Sequence, residues 1–102
     1  MGSNSPRLVW SPEAEDDLVS IWRHGAEAWT EEMADKQLFE IEAGCDRLLD
    51  DPMLGRARHE LMAGMRSMPV RPHVVFYRLS KRTIEVVRVL HQRMDVEHVF
   101  PS

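Results

Sequence analysis

The last third of the chain contains two strand-like runs joined by a very short polar connection. Residues 74–79 and 83–90 are dense in β-branched and aromatic side chains, which are the residue types enriched in strands. Lys81 and Arg82 between them leave room only for a tight turn. The chain must therefore fold around an antiparallel hairpin near its C-terminus, and whatever precedes this hairpin has to pack on it.

Two amphipathic helices are predicted before the hairpin. Ser11 is a good N-cap and is followed by Pro12 at the first helical position, so a helix should run from there to about residue 28. Thr30 caps a second helix, which ends near Asp51 because the residue before a proline is pushed out of helical geometry. So short a connection predicts an antiparallel helical hairpin.

The remaining elements complete a small sheet. Arg7–Trp10 is a short apolar segment and is taken as an N-terminal strand, and residues 65–70 form a further candidate strand in which Pro69 suggests an edge or a bulge. The predicted fold is α+β, in the order β-α-α-β-β-β, with a helical hairpin packed on a small, mainly antiparallel sheet and a short C-terminal segment. A chain of 102 residues has room for one core, so residues 1–102 are predicted to form a single domain with a flexible start over residues 1–6.

A two-residue loop fixes the register of the C-terminal hairpin and reveals two apolar faces. The predicted pairs are Leu79–Ile84, Arg78–Glu85, Tyr77–Val86 and Phe76–Val87, which match apolar and opposite charges across the ladder. One face then carries Val75, Tyr77, Leu79, Ile84, Val86 and Leu90, and the other carries Val74, Phe76, Val87 and Val89. The helical hairpin covers only one face, so the other needs a cover. Our hypothesis is an apolar segment of another chain; the alternative is residues 96–100 or the loop before the sheet.

Composition and charge exclude several classes of protein. No apolar run approaches the roughly 20 residues that span a bilayer, the start of the chain lacks a signal-peptide core, and Cys45 has no partner for an internal disulfide. These features predict a soluble protein of the reducing cytoplasm. Cys45 lies on the apolar stripe of the second helix and is expected to be buried rather than nucleophilic. The five histidines lack the tight spacing of metal ligands, so we expect neither a metal nor a cofactor.

The formal net charge of −4 argues against a broad phosphate-binding surface, and hence against direct sequence-specific DNA binding. The charge is nevertheless uneven, because residues 55–93 contain nine Arg or Lys but only two acidic residues, Glu60 and Glu85. A partner with the opposite pattern would be oriented by electrostatics.

The order of these elements, together with several short motifs, resembles the ParE family of bacterial toxins within the RelE/ParE superfamily. The resemblance extends from Leu8 to about Val99. The motifs that carry it are SPEA at 11–14 with DL at 17–18 and IW at 21–22, PMLGR at 52–56, GMRSM at 64–68, HVVFYR at 73–78, and RVLH at 88–91 with MD at 94–95.

The resemblance implies a non-enzymatic toxin of a type II toxin-antitoxin system that arrests growth by poisoning DNA gyrase. It also implies a ParD-type antitoxin with a ribbon-helix-helix DNA-binding part and a C-terminal segment that wraps the toxin, which would supply the missing cover. The expected antitoxin contacts are Trp22, Arg56, Arg58, Met65, Met68 and Tyr77. The expected gyrase contacts are Arg88, His91, Arg93 and Asp95, which cluster where the last strand ends.

Two other functions stay open. The superfamily also contains ribosome-dependent mRNA endonucleases, whose chemistry needs an acid or base and cations near the scissile phosphate. Arg66, Arg78, Arg88 and His91 could provide these groups, although in the predicted register Arg78 and Arg88 fall on opposite faces. The other function is a non-toxic module, which would bind an antitoxin without arresting growth.

Overall fold

In the computed structural model, which describes residues 6–100, one five-stranded sheet carries helices on both of its faces. The elements are β1 (Arg7–Trp10), α1 (Pro12–Ala28), α2 (Glu31–Asp50), β2 (Arg56–Ala57), β3 (Met65–Val70), β4 (His73–Ser80), β5 (Thr83–His91) and α3 (Val96–Val99).

The strand order is β1-β5-β4-β3-β2, with β1 parallel to β5 and every other pair antiparallel. The predicted α+β class and element order are confirmed. The short β2 and α3 were not predicted. The expectation of a flexible start over residues 1–6 falls, apart from Pro6, outside the described residues.

The N-caps of both long helices are those predicted. The Ser11 hydroxyl accepts a hydrogen bond from the backbone N–H of Ala14 at 3.0 Å and donates one to the carbonyl of Val87 at 2.8 Å. One side chain therefore starts α1 and also ties it to β5. The Thr30 hydroxyl accepts from the N–H of Met33 at 3.1 Å, so α2 begins directly after the connection.

The two long helices cover one face of the sheet. The core between them consists of Ala14, Ile41, Cys45, Leu48, Met68, Val75, Tyr77, Ile84, Val86 and Val89. Cys45 has no exposed surface, and burial together with the nearby Asp46 and Glu42 raises the pKa of its thiol to about 12. The thiol therefore stays protonated and packs as a small apolar group, as the sequence predicts.

A β-bulge changes the register of the C-terminal hairpin part-way along it. Ser80 pairs with Thr83, so the two-residue loop is confirmed, as are the three predicted pairs nearest to it. Phe76 then pairs with Arg88 rather than Val87, because β5 has one extra residue at this point. An extra residue exchanges the two faces beyond it. Val89 therefore joins the helix-side core and Leu90 the opposite face, the reverse of the prediction.

The second face of the sheet is covered by the chain itself. Leu61, Met65, Phe76, Leu90 and Phe100 form a second buried cluster, and the rings of Phe76 and Phe100 lie 5.2 Å apart. Partly buried Val74, Val87, Val96 and Val99 pack against this cluster. The hypothesis that another chain covers this face is thus corrected, because α3 and the loop before β3 fill the space.

Asp17 connects α1 to β5 beside the bulge. Its two carboxylate oxygens accept hydrogen bonds from Nε and Nη2 of Arg88, each at 2.8 Å, and one of them also accepts from the backbone N–H of Val89 at 2.9 Å. The two side chains are largely buried, at 13% exposure for Asp17 and 27% for Arg88. The hydrogen bonds to Asp17 raise the pKa of Arg88, so the guanidinium keeps its charge at neutral pH.

We predict that Asp17→Asn lowers the free energy of unfolding by about 1.5–3 kcal/mol, because charge-assisted hydrogen bonds in a shielded position are lost. Urea denaturation at neutral pH measures the loss. Asp16→Asn is the matched control, since it makes the same charge change at an exposed neighbour and should change stability by less than about 0.5 kcal/mol. Equal losses from the two variants would contradict a special role for Asp17.

Candidate functional site

An open groove lies where the C-terminal half of α1 passes over the end of β5. It has a volume of about 650 Å³ and is lined by residues of α1, the β3–β4 turn and the end of β5. Its apolar lining includes Ile21 and Val89. Trp29 and Met94 also line it and remain 62% and 47% exposed. A concave surface edged by an exposed aromatic ring and a methionine is typical of a protein-binding surface.

Two histidines face each other across β4 and β5 inside this groove. His73 pairs with His91 in the sheet, and their rings meet edge to face with centroids 5.7 Å apart. Burial lowers the pKa of His73, and repulsion from His91 lowers it further. His24 of α1 lines the same groove. Nowhere in residues 6–100 do three or more His, Cys, Asp or Glu side chains converge as metal ligands would.

The predicted gyrase-contacting residues divide into two groups. His91, Arg93 and Asp95 lie together at the rim: the N–H of Arg93 donates to Nδ1 of His91 at 3.1 Å, and Asp95 caps α3 by accepting from the N–H of Glu97. Arg88 instead directs its guanidinium to Asp17 of α1. Arg88 thus links helix and sheet beside the bulge, and its role as a gyrase contact stays a prediction.

Three of the predicted antitoxin contacts are core residues. Met65 and Tyr77 have no exposed surface and Met68 is 4% exposed. The Tyr77 hydroxyl donates to the carbonyl of Pro52 and accepts from the N–H of Gly55, both at 2.8 Å, so it anchors the loop after α2. Their assignment as surface contacts is corrected, because the chain's own elements cover both faces of the sheet.

The other three predicted antitoxin contacts reach the surface at two separate places. Trp22 lies on α1, where its indole N–H donates to Asp35 of α2 at 2.8 Å. Arg56 and Arg58 share a cleft of about 360 Å³ at the sheet edge formed by β2 and β3. The further lining of this cleft is Leu54, Ser67, Pro69 and Val74.

Arg58 is fixed within this cleft by its own chain. Its Nε donates to Glu60 at 2.7 Å and its Nη1 donates to the Ser67 hydroxyl at 3.2 Å. Its guanidinium carbon lies 5.7 Å from the centre of the Phe76 ring, within the range of a cation–π contact. Ser67 and Phe76 were not predicted as parts of the site, since only the strand pairing brings them beneath Arg58.

The residues proposed for RNA cleavage do not form one site. Arg66 donates to the backbone carbonyl of Gly55 at 2.8 Å, and Arg88 is engaged by Asp17. His91 lines the groove, whereas neither of these arginines does. Arg78 faces Glu85 in the sheet, as predicted, and its Nη1 donates to the sulfur of Met62. The cations that such chemistry would use are therefore dispersed.

The comparisons with known proteins agree with the predicted family. A family model described as the ParE toxin of the type II toxin-antitoxin system, parDE, matches residues 8–96. The chain belongs to this family. Toxin ParE1 of Mycobacterium tuberculosis is 40% identical over 94 residues, which cover 91% of this chain and 96% of the relative. Toxin ParE1 of Caulobacter vibrioides is 36% identical over 85 residues, covering 83% of this chain and 88% of the relative.

Solved structures share the fold of this ParE-type toxin. A chain of the chromosomal ParDE toxin-antitoxin system from P. aeruginosa superposes with a TM-score of 0.77 at 23% identity, covering 87% of this chain and 98% of that one. A chain of the toxin-antitoxin complex RelBE2 from Mycobacterium tuberculosis superposes with a TM-score of 0.60 at 19% identity, covering 85% and 98%. The prediction from the sequence that the chain is a ParE-type toxin of a type II toxin-antitoxin system is confirmed.

The role of Tyr77 gives a second testable prediction. Tyr77→Phe removes both hydroxyl hydrogen bonds and leaves the buried N–H of Gly55 without its partner, so the free energy of unfolding should fall by about 1–3 kcal/mol. Antitoxin affinity, measured per folded molecule, should stay within about twofold because an unexposed hydroxyl contacts no partner. Gly55→Ala is a companion variant, since its added Cβ would lie 2.8 Å from the same hydroxyl. A large loss of antitoxin affinity in fully folded Tyr77→Phe would contradict this prediction and place Tyr77 in the antitoxin interface.

The His73 environment gives a third prediction, about pH. A histidine with a lowered pKa takes up its proton more readily in the unfolded state, so stability is complete above the ordinary value of about 6.5 and falls as the pH drops below it. His73→Gln should therefore lose less stability than the wild type between about pH 7.5 and 5. Urea midpoints across this range measure the difference, and His59→Gln, at an exposed position, is the control. Identical pH profiles for His73→Gln and the wild type would contradict the prediction.

Proposed function

We propose that this ParE-type toxin arrests growth in the bacterial cytoplasm by poisoning DNA gyrase, without catalysis of its own, and that a ParD-type antitoxin neutralises it. The observation that carries this proposal is the match to the ParE family over residues 8–96, together with relatives of 40% and 36% identity over most of their length. The engagement of Arg66 and Arg88 by the chain's own carbonyl and carboxylate groups favours a binding protein over a nuclease.

The groove between α1 and the end of β5 is the proposed gyrase-binding surface. Trp29 and Met94 offer exposed apolar anchors, and Arg93 and Asp95 provide charges of both signs beside them. Binding energy at protein interfaces concentrates in such large side chains near a concave centre, with polar groups around them. His91 lines the same groove and accepts a hydrogen bond from the backbone N–H of Arg93.

The antitoxin contacts that we retain are Trp22, Arg56 and Arg58. The two arginines belong to the basic part of the sequence, and their cleft lies on the face of the sheet away from the long helices: Ser67 and Pro69 alternate along β3 with Met68, which packs in the helix-side core. An antitoxin segment of acidic and apolar character suits this cleft.

We predict that expression in a host lacking the antitoxin stops growth and that gyrase-cleaved, linear plasmid accumulates while total mRNA stays intact. Gel analysis of plasmid and of RNA from the same cells measures both. The double variant Trp29→Ala, Met94→Ala should reduce cleavage by at least about tenfold, because both groove anchors are lost. Phe39→Ala is the matched control, since this ring is 71% exposed but does not line the groove, and it should cleave as the wild type does.

The other outcomes separate the remaining functions. Cuts in mRNA with untouched plasmid would replace gyrase poisoning by RNA cleavage. A chain that binds its antitoxin but causes no arrest would be a binding module. Equal effects of the groove variant and Phe39→Ala, at equal protein levels, would move the gyrase contact to another surface.

A further inference from the structure

In the toxin alone, the guanidinium of Arg58 is already fixed in one position. The Ser67 hydroxyl accepts from one end of its guanidinium, the Phe76 ring lies beside it, and its side chain is only 14% exposed. A planar guanidinium that is already fixed loses little conformational freedom when it binds a carboxylate in a forked geometry. This arginine is therefore a better carboxylate receptor than a free surface arginine.

The carboxylate that now occupies this receptor belongs to a weakly fixed side chain. Glu60 lies two residues after Arg58 in a loop, and its side chain is 61% exposed. The hydrogen bond from Arg58 lowers the pKa of Glu60, so its carboxylate is ionised at neutral pH. An ion pair with such an exposed member is readily exchanged for another, because water replaces the lost contacts at little net loss.

The surroundings of Arg58 select for an acidic partner. Arg56 lines the same cleft and is exposed, and within residues 6–100 the lining holds no acidic side chain, since Glu60 meets Arg58 from the loop beside the cleft. Leu54, at 39% exposure, and Pro69 add apolar surface between the charges. Within residues 6–100, β2 is the last strand of the sheet, so its outer edge is open to an extended segment lying alongside.

From this geometry we propose that the Arg56–Arg58 cleft binds a carboxylate of an acidic, extended segment of the antitoxin, and that Glu60 occupies this position in the free toxin as an internal competitor. The inference rests on the proposed function, because it takes the antitoxin as the partner. On binding, the partner's carboxylate replaces Glu60 on Arg58, and a second one pairs with Arg56. Each binding event must displace Glu60, so removing Glu60 should tighten the complex.

The test measures the affinity of the cognate antitoxin for full-length toxin variants by calorimetry. Glu60→Ala should bind about three- to tenfold tighter than the wild type, because the competitor is gone. Glu60→Gln keeps the length of the side chain and should also bind tighter, which guards against a disturbed loop. Glu40→Ala is the matched control: it makes the same charge change on an exposed position of α2 outside the cleft and should stay within about twofold of the wild type.

Variants of Arg58 show whether the tighter antitoxin binding of Glu60→Ala depends on this arginine. Arg58→Lys keeps the charge but loses the fork, and should weaken binding by about tenfold. The double variant Glu60→Ala, Arg58→Lys should show none of the gain that Glu60→Ala gives alone. Arg47→Lys, an exposed arginine on α2, is the control. The gain from Glu60→Ala should also shrink when salt is raised from about 50 to 300 mM, because screening weakens a new exposed pair.

The outcomes keep this inference separate from the proposed function. If wild-type toxin binds no antitoxin, the partnership itself fails, and the inference fails with it. If wild-type toxin binds and arrest is relieved, but both Glu60 variants bind as the wild type does, the inference alone is overturned. Equal tightening by Glu60→Ala and Glu40→Ala would also overturn it, since net charge would then explain the gain.

Discussion

The carboxylate of Asp17 fixes the position of helix α1 relative to strand β5. It accepts two hydrogen bonds from Arg88 and one from the backbone of Val89, and so fixes α1 over the bulge of β5. The same residue lines the groove at the end of the helices. Because the walls of this groove depend on where α1 crosses the sheet, this ion pair between residues far apart in the chain, together with the Ser11 tie and the core between α1 and the sheet, sets the shape of the proposed gyrase surface.

A sheet covered on both sides leaves little surface for recognition. The helical hairpin fills one face, and α3 with the loop before β3 fills much of the other. Two openings among residues 6–100 are the groove on the helix side and the arginine cleft on the opposite side, at the β2 edge. In the proposed function, these two openings serve different partners. In that proposal, an antitoxin bound at the cleft alone would leave the groove uncovered.

Local signals determined how much of the structure the sequence could predict. Ser11 and Thr30 mark the helix starts, and Lys81 with Arg82 sets the hairpin loop, because capping and turn chemistry act over a few residues. The bulge could not be predicted, since it accommodates a contact between Arg88 and a residue 71 positions earlier. Part of the predicted site was wrong for the same reason, namely contacts between residues distant in sequence. Tyr77 is buried by the core and by the loop that it anchors, which are distant in sequence, whereas Arg56 and Arg58 are close in sequence and line one cleft in the structure.

The parallel pairing of β1 with β5 has a consequence for how the protein is made. Arg7 pairs with Thr83 and Trp10 with Val86, so the first strand and its partner lie more than 70 residues apart in the chain. Closing so long a loop is slow, and it cannot begin until the second strand exists. On the ribosome, β1 therefore stays unpaired until β5 has emerged. A chain interrupted before residue 83 lacks this partner altogether, so the complete sheet forms only in molecules translated through β5.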